Sequence, residues 1–409
     1  MILSKVIEMK IEFSQYSKEQ KGILVIGFLC MFITMGALIN CNGIFIKPIS
    51  ITLKCSHFKI SIIYFLYIIG QIFLQIFLEK ILKRIVIKKV MEYSCLLISL
   101  NLLIIILSKE LMILYFCAFF IGIGVGGMTT VPISILIKNN FLKNYGVVLG
   151  IVLSGSGIGG MIFGPIFINL IPIVGWKKCY LLLLLIHLLI LYPLIKKKIS
   201  TYNLKEDNVE RKARKSQSYL RERKFWLFGI ASMITYSSIS TVHQTLASYL
   251  NDLNYSISKI SLIFSLGMFS LAIGKVVLGK IYDMFSVKKS TIFSALNAVI
   301  AIISIIFIKV NRIEYIYIVT LGLGYSFGSI AYPFVTEKLF KEKEFVKINS
   351  IYNAIGNLSL GLGMILASMI YDKFHNYGVI YRAFVVLSLV SILIYIKIIP
   401  KDKILKKEV

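Results

Sequence analysis

The chain alternates between long apolar runs and short polar breaks. Six runs fall at about 22–46, 60–78, 90–108, 111–137, 146–168 and 179–195, and six more at about 225–250, 258–280, 290–308, 315–336, 347–371 and 378–396. A hydrocarbon core about 30 Å thick takes about 20 apolar residues wound as a helix, and every run comes near that length or exceeds it. The pattern predicts an all-α membrane protein with twelve transmembrane helices. The one long polar stretch is KKKISTYNLKEDNVERKARKSQSYLRERK, residues 196–224, which holds eleven Lys/Arg and four Asp/Glu. It reads as a linker between two six-helix halves. The expected layout is an N-terminal segment over 1–21, a first half over 22–195, the linker over 196–224, a second half over 225–396 and a tail over 397–409.

Composition agrees. Of 409 residues, 57% are hydrophobic and 16% are charged, against about 45–50% and about 25% in soluble domains. A secreted disulfide module, a disordered chain and an ordinary cytosolic enzyme are thereby excluded. The net charge of +27 would suggest a nucleic-acid partner in a soluble protein, but its placement says otherwise. Roughly three quarters of the Lys and Arg residues fall at the run ends and loops on the side of the N-terminus. By the positive-inside rule that side is cytoplasmic. Both termini are therefore expected inside, the charge is a topology signal, and anionic membrane lipid rather than nucleic acid is the expected partner. Cys30, Cys41, Cys55, Cys95, Cys117 and Cys179 show no paired spacing and read as small hydrophobes. The first twenty-one residues have no short apolar core before a cleavage site, so no signal peptide is expected.

The two halves repeat. Gly70-Gln71 stands nine residues before Glu79 and fourteen before Arg84, and Gly274-Lys275 stands at the same distances before Asp283 and Lys288. The same offset carries GSGIG at 155–159 onto SLGLG at 359–363. At a slightly different offset, IGIGVGGMTTVP in the fourth run matches LGLGYSFGSIAYP in the tenth. A repeated six-helix unit is the plan of many secondary carriers, with a solute site near the midplane between the halves.

On these residues the chain resembles the major facilitator superfamily. GKVVLGKIYDMFSVKK, residues 274–289, looks like the loop motif of that family, and Gly70, Glu79 and Arg84 form its weaker first copy. An acid at a helix end can pair with basic loop residues when the halves close on that side, so Gly70, Glu79, Arg84, Gly274, Asp283 and Lys288 are expected to act in the conformational change. Two segments are similar to the monocarboxylate-transporter and oxalate/formate-antiporter branch. They are NCNGIFIKPI at 40–49 and FLKNYGVVLGIVLSGSGIGG at 141–160. Gly160 to Pro165 partly matches a motif of drug/proton antiporters, which keeps an efflux carrier as the alternative.

The resemblance implies a solute site. In the resembled branch an arginine of the eighth helix lies eight residues before the motif acid, and here that place is Lys275. A lysine at helix-centre depth costs about 2.5–3.5 kcal/mol on insertion scales, so it either faces a cavity or snorkels to the near surface. Gln71, its counterpart in the first half, is also polar. Asn40 corresponds to the first-helix lysine of the proton-coupled carriers, and Leu271 to their acid. The second cation of the oxalate branch corresponds to Tyr352 and Asn353, which are neutral. Tyr236 and His243 add polar groups to the seventh run, as donors or as packing. His187 reads as structural, Arg382 as an interfacial anchor, and Pro132, Pro165 and Pro333 as kinks. These readings converge on a monomeric carrier of small organic anions with substrate contacts at Lys275, Gln71, Asn40, His243, Tyr236, Tyr352 and Asn353. No membrane-embedded carboxylate cluster, metal-spaced His/Cys set or nucleophile-base pair is evident, so neither catalysis nor a cofactor is expected.

Overall fold

The structure, a computed structural model, describes residues 16–82, 84–141, 145–198, 218–340 and 345–400. The ends of the chain, most of the linker and the tail lie outside the described residues. Among the described residues, twelve helices are long and apolar enough to cross a membrane. They are α1 (Lys18–Leu53), α2 (His57–Leu82), α3 (Ile87–Leu107), α4 (Leu111–Ile137), α5 (Tyr145–Val174), α6 (Trp176–Lys197), α7 (Arg223–Asp252), α8 (Ile257–Met284), α9 (Val287–Ile306), α10 (Ile313–Leu339), α11 (Phe345–Phe374) and α12 (Gly378–Ile398). No strand occurs among the described residues. An even number of crossings brings the start of α1, the end of α6, the start of α7 and the end of α12 to one end of the bundle. That end is called the linker end, and the other the far end.

The helices run past the apolar runs at several places. α1 extends to Leu53 through Lys47 and Pro48, because these fall at its far end. α5 and α6 meet at Gly175 alone, whose φ of +81° turns the chain where L side chains are strained. The expected loop after 168 is helix instead, because the segment stays apolar, and Pro172 is accommodated within α5.

Glycine contacts make the internal repeat physical. A methyl on Gly70 would strike Phe119 of α4, and one on Gly274 would strike Gly322 of α10. Gly122 and Gly322 return these contacts against Tyr67 and Ser270. One face of each loop-motif glycine thus lets α2 approach α4 and α8 approach α10, as small residues do in membranes. The GSGIG copies behave alike. Gly157 of α5 lies on Ala272 of α8, and Gly361 of α11 lies on Phe65 of α2. Two residues on, Gly159 touches Phe32 and Gly36 of α1, while Gly363 touches Ser237 and Thr241 of α7. Each copy therefore makes one contact across the halves and one within its own half.

Candidate functional site

Helix α1 is broken in its middle. It is α-helical to Cys30, π-helical over Met31–Ile39, turned at Asn40 and Cys41, and 3-10 helical over Asn42–Phe45 before α-helix resumes at Ile46. Gly36 sits in the π-helical stretch because its backbone presses on α5, where a methyl would come within 2.6 Å of the Gly159 Cα. The Asn40 N–H bonds five residues back to Met35, and the Cys41 thiol donates to the Gly36 carbonyl at 3.3 Å. Interrupted helices at membrane depth occur where protein or a cavity satisfies the backbone, and in carriers they commonly border the solute site.

The break faces a cation. Asn40 Nδ2 donates to the Ser156 carbonyl of α5 at 3.1 Å, and Lys275 Nζ of α8 donates to Ser156 Oγ at 3.5 Å. Ser156, itself buried, thereby joins α1, α5 and α8. Lys275 is half-buried, and the long bond to Ser156 uses one of the three protons its ammonium can donate. Among the described residues no carboxylate lies within ion-pair distance of it. Sequence reasoning selected Asn40 and Lys275 but passed over Ser156, because a serine in a Gly-rich helix carries no local signal.

A second group gathers on α7. The His243 ring is fully buried, 4.8 Å from the Phe264 ring and 5.7 Å from that of Tyr325. Neither of its ring nitrogens has a hydrogen-bond partner among the described residues. The ring of Tyr236 rests on Gly328 of α10 and lies 5.6 Å from Tyr325. Gln244 accepts from the Gly43 N–H at 3.2 Å and donates to the Tyr64 hydroxyl at 3.3 Å. It ties α7 to α1 and α2 beside the break. Tyr64, Gln244 and Tyr325 were not singled out from the sequence.

The remaining expected site residues lie apart from these groups. Gln71 is buried on α2 with its backbone against Gly126 of α4, and its side chain makes no hydrogen bond among the described residues. Tyr352 is fully buried in the aromatic core at the linker end of the second half, donating to the Phe225 carbonyl at 3.1 Å. Its neighbour Asn353 is exposed, with its amide on Asn349 one turn back. His187 is buried against Thr34 at 3.3 Å and the Leu183 carbonyl at 2.8 Å, consistent with a structural role. In the loop motifs, Lys288 donates to the Ile396 carbonyl at the end of α12, whereas Arg84 is exposed. The side chains of Glu79 and Asp283 lie outside the described residues.

A clasp closes the far end between the halves. Lys47 of α1 reaches Asp252 at 2.6 Å and Asn251 at 2.7 Å on α7, and Asp252 also accepts from the Tyr371 hydroxyl at 2.9 Å. The Asp372 carboxylate of α11 accepts from the backbone N–H groups of His57 at 2.9 Å and Phe58 at 2.8 Å. It thus caps the first turn of α2 from the other half. The His57 ring stacks on Tyr371 at 4.4 Å and meets the Tyr377 hydroxyl at 3.1 Å. Burial first, then Tyr371, Asp252 and Asp372, push the Tyr377 phenol well above its ordinary range, so it stays neutral. The Lys275–Ser156 contact, the ties of Gln244 to Gly43 and Tyr64, and the clasp join the halves from the level of Lys275 to this end. The halves are latched there.

Two pseudo-symmetric six-helix halves meet around a broken helix and the cation of Lys275, the architecture of a polytopic membrane protein. The Major Facilitator Superfamily model matches residues 24–334 and 229–409, and the chain belongs to that superfamily of multi-pass membrane transporters. No curated protein matches it. Among solved structures, it is similar to the nucleoside transporter NupG, with a TM-score of 0.75 at 12% identity over 94% of this chain and 99% of that one. It is also similar to a bacterial homolog of the human lysosomal transporter Spinster in an inward-facing, unoccupied conformation. There the TM-score is 0.72 at 13% identity, over 91% of this chain and 95% of that one. At such identity these likenesses concern the fold.

Proposed function

We propose that the protein carries small organic anions, monocarboxylates foremost, across its membrane by alternating access, as a monomer with both termini in the cytoplasm. The observation that carries this reading is the ammonium of Lys275. It stands at the contact of the halves beside the break in α1, with a weak serine contact and no described carboxylate to neutralise it. A substrate carboxylate supplies the missing charge and displaces Ser156. Asn40 offers an amide at the same place. One cation suits one carboxylate. In this reading the latched far end faces outward.

The test is counterflow in proteoliposomes with labelled lactate, pyruvate, formate and oxalate, comparing the wild type with Lys275→Gln. Saturable uptake of a monocarboxylate, reduced at least tenfold by the substitution, is the expected result. Equal flux in the two proteins would remove the central claim. A second reading rests on the uncharged aromatic group of Tyr236, His243 and Tyr325, which suits a neutral ring-bearing solute, exported or imported. The solved nucleoside transporter makes labelled nucleosides a suitable probe, and here transport would survive Lys275→Gln.

A further inference from the structure

We infer that the linker end of α2 carries a binding site for an anionic phospholipid, with the headgroup phosphate held by Lys80 and Arg84. Phe73, Ile76, Phe77 and Lys80 are all exposed and lie on one face of α2, and the exposed Arg84 follows in the turn after its end. That face is apolar through its membrane part and turns cationic where it leaves. At that junction a groove of about 500 Å³ is lined by Phe77, Lys80, Ile81, Arg84 and Ile85. The Lys80 ammonium lies 5.7 Å from the centre of the Phe77 ring, and the exposed Arg84 side chain has no hydrogen bond or ion pair among the described residues. The other copy of the motif differs, since Lys288 is engaged at the end of α12. The first half therefore presents Lys80 near the end of α2 and Arg84 in the turn beyond it, both over an apolar wall.

The chemistry selects the ligand. Lysine and arginine together suit a phosphate, and arginine offers it a two-pronged fork. The apolar wall gives nothing to a free inorganic ion but receives the first carbons of an acyl chain. Because Arg84 sits in the loop motif of the first half, bound lipid would bear on the segment linking α2 to α3.

The experiment places the full chain in nanodiscs of phosphatidylcholine, with or without a quarter of phosphatidylglycerol. Retained lipid is counted by native mass spectrometry and thermal unfolding is followed in parallel. Wild type is expected to retain phosphatidylglycerol and to unfold at a higher temperature when it is present. Lys80→Gln with Arg84→Gln should weaken retention at least tenfold, about what two lost surface cations imply. Lys109→Gln, an exposed lysine at the far end, should behave as wild type. Should the double variant fail to fold in phosphatidylcholine, Arg84→Gln alone is expected to weaken retention severalfold. Equal retention of the two lipids by wild type, or undiminished retention by the variants, overturns the inference. Displacement of the lipid by millimolar inorganic phosphate would reassign the groove to a soluble anion and overturn it as well.

Discussion

At the scale of single residues, the glycines separate into those that need their missing side chain and those that do not. Gly36 has no room for a methyl against Gly159, and Gly279 has nothing within 4 Å. Gly36→Ala is expected to destabilise by about 1–3 kcal/mol, as overpacked cores do. Gly279→Ala should be neutral or stabilise by up to about 1 kcal/mol, because alanine is the better helix former. Unfolding temperatures in detergent measure both, and a Gly36→Ala protein as stable as wild type would contradict the close approach. His243 poses a sharper question, since both of its buried nitrogens lack partners among the described residues. A buried unsatisfied polar group costs about 1–3 kcal/mol, so His243→Leu should raise stability. If the ring also contacts substrate, the same variant loses flux, and the two readouts together distinguish a packing role from a binding role.

At the scale of elements, the helices borrow their ends from one another. The first turn of α2 takes its cap from Asp372 of α11, across the halves. A cap of this kind is worth about 0.5–2 kcal/mol, and it exists while the far end is closed. Asp372→Ala is therefore expected to shift the protein toward opening at that end, by about twofold to thirtyfold in the ratio of states. Spin labels at Lys59 and Lys373, both exposed there, would report it as a growing population at longer distance, and an unchanged distribution would deny the cap this role. The Lys47–Asp252 pair is partly exposed, with side-chain exposures of 30% and 23%. Alone it is worth about 1 kcal/mol or less. Much of the clasp then rests on the cap, the His57–Tyr371–Tyr377 stack and the close packing of Gly43 on Gln244.

Over the whole molecule, the pseudo-symmetry of glycine contacts gives two matched seams, α5 on α8 and α2 on α11. A rocking motion of two halves about such seams must open the far end once in every cycle. With the native cysteines replaced, Lys47→Cys and Asp252→Cys joined by a short bifunctional methanethiosulfonate should stop counterflow. Reduction should restore it. Continued transport by the joined protein would show that this end stays shut in turnover, and alternating access through it would be wrong.

The apolar runs determined the helix count and the all-α membrane class, because hydrocarbon demands about 20 apolar residues per crossing. The repeated spacing of Gly70 and Gly274, and of the two GSGIG-like segments, made two related halves readable, since close helix contact tolerates little but glycine. Lys275 and Asn40 stood out as polar groups in apolar surroundings. The tertiary structure alone decided that Ser156 stands between them, that Tyr352 turns into the linker-end core, and that α1 breaks at Asn40. It likewise assembled the clasp from Lys47, His57, Asp252, Tyr371 and Asp372. These residues sit at run ends, where charged and aromatic side chains are ordinary, and no local spacing marks them. Local hydrophobicity specifies which segments enter the membrane, but partners separated by one or two hundred residues or more meet only once the halves have packed.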